Sequence, residues 1–237
     1  MKRIRWGWLL AVVMVFALFS SPVGIPSAVA AACPDVEVVF ARGTFEPPGV
    51  GGTGEAFVNA LRARTKGKTV EVYPVEYPAS IAFATAADGV IDASNRVKDI
   101  SARCPNTKIV LGGFSQGAAV VAYTTADTVP VGFDLPEGLT GPMPPDVADH
   151  VAAVALFGKP SNGFLQRVDN MAPPINIGHL YTGKTVDMCV PEDPICSPDG
   201  SDNAAHGSYG DNGMTNQAAD FAARQISSTA ELASASG

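Results

Sequence analysis

Charge is scarce in this chain of 237 residues: only 16% of positions are Asp, Glu, Lys or Arg, and acids outnumber bases 23 to 16. A net charge of −7 leaves too little basic surface for a phosphate backbone, which argues against nucleic acid and anionic membranes as partners. Histidine occurs three times, so any imidazole chemistry must use His150, His179 or His206. The four cysteines form no CxxC pair, which argues against a zinc site. The apolar stretch from Trp6 to Phe19 is shorter than the ~20 residues that span hydrocarbon, and a membrane anchor is not expected.

That stretch follows Lys2, Arg3 and Arg5 and precedes Ala28-Val29-Ala30, the basic, apolar and small order of a cleaved secretory signal. Residues 1–30 are therefore read as the signal, 31–226 as one domain and 227–237 as a small, polar tail expected to fray. Export makes the even cysteine count a disulfide signal. Three pairings are possible; Cys189 and Cys196 are close in sequence, which leaves Cys33 with Cys104.

Within the domain, Val36 to Ala41 is a β-branched apolar run ending at Arg42-Gly43, as a buried strand does. Helical spacing starts at Gly54 with Ala56, Phe57, Ala60 and Leu61, and Val70 to Tyr73 returns to strand character. A helix over Val90 to Ile100, a strand over Lys108 to Gly112, a helix over Gly117 to Thr125 and an apolar strand over Val151 to Phe157 follow. The last strand is expected over Leu180 to Met188 and a closing helix over Thr215 to Ile226. The prolines and glycines between Asp127 and Asp146 predict a surface loop. The fold class that results is α/β: a single-domain, three-layer sandwich with a mostly parallel sheet covered by helices on both faces.

Gly113-Phe114-Ser115-Gln116-Gly117 joins a predicted strand to a predicted helix, the setting of a nucleophile elbow. Such a turn lifts the Ser115 hydroxyl above the sheet edge and puts the Gln116 N–H where it can meet a developing oxyanion. A serine needs a base to take its proton. His150 and His179 adjoin apolar runs and are read as strand starts, whereas His206 lies in a Gly, Asn, Asp and Ser-rich stretch after the last strand, where catalytic loops fall. By chain order the orienting acid is Asp187, Glu192, Asp193, Asp199 or Asp202; a bridge from Cys189 to Cys196 would clamp only Glu192 and Asp193.

Together these residues resemble the cutinase family, particularly secreted cutinase-like proteins of actinobacteria, from about Cys33 to about Gln225. The family's elbow reads Gly-Tyr-Ser-Gln-Gly, and Phe114 stands where tyrosine is usual. Its catalytic aspartate lies four residues after the first cysteine of a Cys-x6-Cys loop, and its histidine ten residues after the second; Cys189, Asp193, Cys196 and His206 fit all three spacings. The resemblance thus implies Ser115, Asp193 and His206 as the triad. It also implies Thr44, in Arg42-Gly43-Thr44, as the second oxyanion donor beside Gln116, bridged cysteines as paired above, and no metal or cofactor.

The expected activity is hydrolysis of a small-molecule or lipid carboxylic ester by a monomer outside the cell or in its envelope. A lipase, phospholipase or thioesterase would use the same machinery, and a binding protein could keep the fold without it. Fungal relatives carry aliphatic side chains between the second cysteine and the histidine; here Ser197 to Ala205 holds Asp199 and Asp202 and no large aliphatic residue, so short to medium acyl chains are expected. The Asp127 to Asp146 loop, or Phe164 and Leu165, could supply a replacement rim. A literal GxGxxG from Gly49 to Gly54 raises a dinucleotide enzyme as a rival. Its first glycine comes eight residues after Ala41 rather than in the turn directly following the strand, and export suits no soluble nicotinamide enzyme.

Overall fold

The computed structural model describes residues 32–129, 135 and 137–235, with side chains as far as Ser228. The signal expected over 1–30 lies outside them, as do residues 130–134 and 136 of the Pro-rich loop. The element order is β1 (Val36–Ala41), α1 (Gly51–Arg64), β2 (Val70–Pro74), α2 (Ala86–Arg103), β3 (Lys108–Phe114), α3 (Gln116–Thr124), α4 (Pro145–His150), β4 (Val151–Phe157), α5 (Asn162–Val168), α6 (His179–Thr182), β5 (Thr185–Met188), α7 (Asn203–His206) and α8 (Met214–Ala235), with one 3-10 turn before α2.

The five strands are all parallel, in the order β2-β1-β3-β4-β5. Alternation along each strand divides the core in two. Val39 and Ala41 of β1 and Val154 and Leu156 of β4 face one cluster, which holds Val97 of α2 and Val121 of α3. Val38 and Phe40, with Ala153, Ala155 and Phe157, face the other, which holds Phe57 and Leu61 of α1 and Ala218, Ala222 and Ile226 of α8. Three layers follow from a period of two on a sheet buried on both sides. β1 and β3 are neighbours whose connections leave in opposite directions, so their C-terminal ends flank a crevice at the switch in strand order, where ligands of open α/β sheets bind.

Two acids settle local problems in this frame. Glu37 of β1 is almost fully buried, and both its oxygens pair with the Arg96 guanidinium of α2, at 2.5 and 2.7 Å. Glu46 accepts from the Gly43 and Gly52 N–H groups, at 2.6 and 2.9 Å. That outside partner lets α1 start at Gly51, ahead of the apolar periodicity, and occupies an N–H that a dinucleotide phosphate would need.

Three expectations are corrected. The strand expected over Leu180 to Met188 begins only at Thr185, because Gly178 opens the short helix α6 and Tyr181 turns into the core. His179 accordingly starts that helix rather than a strand, and His150 closes α4 just before β4. The segment expected to fray after Ile226 continues α8 to Ala235; Ser227 and Ser228 donate their hydroxyls to the Ala223 and Gln225 carbonyls, which satisfies them within the helix.

Candidate active site

Ser115 sits between β3 and α3 with φ 54° and ψ −119°, outside the regions that L-residues favour. Its N–H donates to the Phe157 carbonyl at 2.9 Å, which ties the turn to β4. Gly117 is required here, since a Cβ at that position would run into the Ala41 and Arg42 carbonyls at the end of β1. The sequence forms the elbow because glycine lets α3 start against the end of β1 while β3 and β4 hold the serine from beneath.

The structure brings Ser115, His206 and Asp193 into one line. His206 Nε2 lies 2.8 Å from Ser115 Oγ, and Nδ1 lies 2.8 Å from Asp193 Oδ2. Nδ1 must carry the proton shared with the carboxylate, which leaves the Nε2 lone pair facing the serine hydroxyl. His206 is the last residue of α7, a helix whose start is capped by Asp202 accepting from the Ala204 N–H at 2.8 Å. The Phe114 ring stacks on the imidazole at 4.9 Å between centroids.

Asp193 is fully buried. The disulfide between Cys189 and Cys196 closes the loop that carries it, with Cα atoms 5.8 Å apart, while Cys33 joins Cys104 at 5.5 Å. Oδ1 accepts from the Ile195 N–H at 2.8 Å, and Oδ2 also accepts from the Tyr209 hydroxyl at 2.7 Å. Of the other candidate acids, Asp187 pairs with Lys159 at 3.3 Å, Asp202 caps α7, and Glu192 and Asp199 are exposed. Of the remaining histidines, His179 pairs with Asp127 at 2.9 Å on the surface.

Thr44 and Gln116 meet beside the elbow, with the Thr44 hydroxyl donating to Gln116 Oε1 at 3.4 Å. The buried Arg42 guanidinium holds the chain leading to Thr44, donating to the Glu46, Val75 and Tyr77 carbonyls. Gln116 Nε2 donates to the Ser80 carbonyl, and the Phe45 N–H to the Ala79 carbonyl. These bonds lace residues 44–46 and 79–81 together beside the elbow. Among the described residues no group of three His, Cys, Asp or Glu is placed to hold a metal ion, and no helix is long and apolar enough to cross a membrane.

Sequence reasoning missed three residues. Tyr209 follows His206 by three positions, and nothing local marks its hydroxyl as a partner of Asp193. Phe45 and Ile81 are 76% and 67% exposed on the two laced loops, and Phe45 is held at φ 67°. Of the side chains expected as a rim, Leu165 is buried in the core and Phe164 packs under Arg167.

The cutinase family model matches residues 32–226. Carboxylesterase Culp1 of Mycobacterium tuberculosis is 46% identical over 216 residues, 91% of this chain and 92% of that protein. Phospholipase Culp4 of the same species is 46% identical over 209 residues, 88% of this chain and 86% of that protein. Trichoderma reesei cutinase, solved with a phosphonate inhibitor, superposes with a TM-score of 0.61 at 28% identity, over 82% of this chain and 77% of that one. With a family model covering nearly everything after residue 31 and relatives matched almost end to end, this chain belongs to the cutinase family.

Proposed function

We propose that this carboxylic ester hydrolase works through an acyl-enzyme on Ser115, outside the cell, on esters with short to medium acyl chains. The observation that carries the reading is the unbroken hydrogen-bonded line from Ser115 through His206 to buried Asp193, at a strained strand-to-helix turn.

In this mechanism Ser115 Oγ attacks the ester carbonyl carbon while its proton passes to His206 Nε2. Asp193 holds the tautomer and offsets the imidazolium charge that forms. The carbonyl oxygen, now anionic, is met by N–H groups of Thr44 and Gln116, the latter at the first residue of α3; one such donor is worth about 3 kcal/mol to the transition state. The alkoxide leaves with the proton from His206. Water then attacks the acyl-enzyme, giving its proton to His206, and Ser115 is regenerated with release of the acid. No step calls for a metal or cofactor.

The two disulfides support an oxidising compartment and hence export. Phe45 and Ile81 support the substrate class, since they offer exposed apolar contact for the first methylenes of an acyl chain, while Ser197 to Ala205 carries no large aliphatic side chain. The identity to a phospholipase favours a second reading in which the ester belongs to a lipid. Intact-mass analysis after treatment with an organophosphate tests the mechanism: one adduct, absent in Ser115→Ala, is expected. Labelling at a different serine would overturn it, and turnover of dibutyroyl phosphatidylcholine beside p-nitrophenyl butyrate separates the two substrate readings.

A further inference from the structure

Tyr209 is fully buried at the centre of the site, with its ring against Phe114, Phe157 and His206 at 5.8, 6.3 and 6.3 Å between centroids. Its hydroxyl accepts from the Val190 N–H at 3.1 Å and donates to Asp193 Oδ2, the same oxygen that receives His206 Nδ1. Burial, and then the bond to Asp193, push the phenol well above its ordinary range, so it stays protonated and a donor through neutral pH. Gly158, at φ 56°, leaves the space in which the three side chains meet; a Cβ there would stand about 3 Å from His206, Tyr209 and Asp193 together.

We propose that the Tyr209 hydroxyl is a positioning group that sets the proton affinity of His206 by sharing the charge of Asp193. The inference rests on the triad reading above and deepens it. A carboxylate without access to water needs donors to remain charged. Asp193 has three: the imidazole, the Ile195 N–H on Oδ1 and the Tyr209 hydroxyl on Oδ2. Two of these stay neutral throughout the reaction. Each takes part of the negative charge that would otherwise attract the imidazolium, and so keeps the imidazole willing to give its proton to the leaving group. A Tyr209 hydroxyl bonded to Oδ2 also restricts the direction from which Nδ1 can approach, which holds Nε2 toward Ser115.

Other charges bear on the same point. Asp187 of β5 acts on Tyr209 only weakly through its charge; its carboxyl is raised by desolvation although its side chain is partly exposed, and it is offset by Lys159 beyond β4 at 3.3 Å. No hydrogen bond or ion pair joins that pair to Tyr209 among the described residues, so a shift produced at position 209 is read at Asp193 and His206.

The test is the pH dependence of kcat/KM for a soluble ester in the full mature chain. Tyr209→Phe keeps the ring and deletes the donor; the acidic limb should move up by about half to one pH unit, kcat should fall, and KM should stay within about two-fold. Replacing Tyr209 by 3-fluorotyrosine, a stronger donor with the same packing, should move the limb down, and this variant decides the matter should Tyr209→Phe fail to fold. Ile226→Ala, which opens the same apolar cluster away from the hydroxyl, should lower Tm and leave the limb in place. A limb that stays within about 0.2 unit of the parent in both position-209 variants would overturn the proposal. His206→Ala separates the layers: retained turnover there would refute the triad itself, whereas lost turnover with an unmoved limb in the Tyr209 variants refutes only the role of the hydroxyl.

Discussion

Tyr209 and His206 end on one oxygen: both donate to Asp193 Oδ2, at 2.7 and 2.8 Å, from positions three apart in the chain. The short loop between Cys189 and Cys196 presents that oxygen, so the disulfide fixes the place at which the two side chains meet.

Removing each disulfide should separate stability from catalysis. In the chain-entropy description the Cys33 to Cys104 bridge contributes about 4 kcal/mol and the Cys189 to Cys196 bridge about 2.5 kcal/mol. Yet Cys189→Ser with Cys196→Ser should lower kcat more than Cys33→Ser with Cys104→Ser, because only the former frees Asp193. Rates measured well below both melting temperatures check this; equal kcat values would refute the clamp.

Phe45 should trade stability for chain-length preference. A contact with about three methylenes, at about 0.8 kcal/mol each, is worth roughly 2 kcal/mol. Phe45→Ala should therefore cost roughly 30-fold in kcat/KM on p-nitrophenyl octanoate and about two-fold or less on acetate. Phe45→Gly relieves a backbone held at φ 67° and should unfold at a higher urea concentration while showing the same selective loss. Equal losses on the two esters would show that the acyl chain does not pass over Phe45.

The pair of buried Glu37 and half-buried Arg96 should be costly to break and cheap to replace. Arg96→Ala leaves the Glu37 carboxylate without its partner at the sheet, and about 3 kcal/mol of unfolding free energy should be lost. Changing both residues to leucine should recover most of it. Urea denaturation decides, and a cost below about 1 kcal/mol for Arg96→Ala would mean that water reaches Glu37 freely.

Asp35 should give stability a local acid dependence. Its carboxylate lies below the usual range, first because the Thr69 N–H donates to it and then because the Thr69 hydroxyl does, a pairing that pins the start of β1 to that of β2. A carboxylate lowered in the folded state stabilises above its unfolded value, near ~3.9, and that contribution disappears as pH falls through the lower folded value. Asp35→Asn should thus melt below the parent at pH 7, with the gap narrowing below about pH 4. A gap that is unchanged at pH 3 would assign the effect to shape rather than charge.

The sheet was legible because its strands are apolar runs with β-branched residues, and a strand buried on both faces can hardly be written otherwise; β1, β3 and β4 fall where Val36 to Ala41, Lys108 to Gly112 and Val151 to Phe157 place them. β5 was overextended because Leu180 and Tyr181 carry the same local signal whether they lie in a strand or turn inward from a helix, and Gly178 decides between the two only once α6 has somewhere to pack. α8 ran past its expected end because small residues close a helix or prolong it according to what lies alongside.

By itself the sequence determined which residues the proposed chemistry would use and their order along the chain. A serine in a glycine turn, an acid inside a cysteine loop and a histidine beyond it are local patterns, and local patterns survive in one dimension. Only the tertiary structure decided what surrounds that chemistry: that Tyr209 rather than solvent completes the shell of Asp193, that Glu46 serves Gly43 and Gly52 at once, and that Phe45 and Ile81, far apart in the chain, stand exposed on two loops laced together. Those relationships join residues whose separation along the chain bears no fixed relation to their distance in space. They are set by how two packed layers close on a sheet, and no spacing rule encodes that closure.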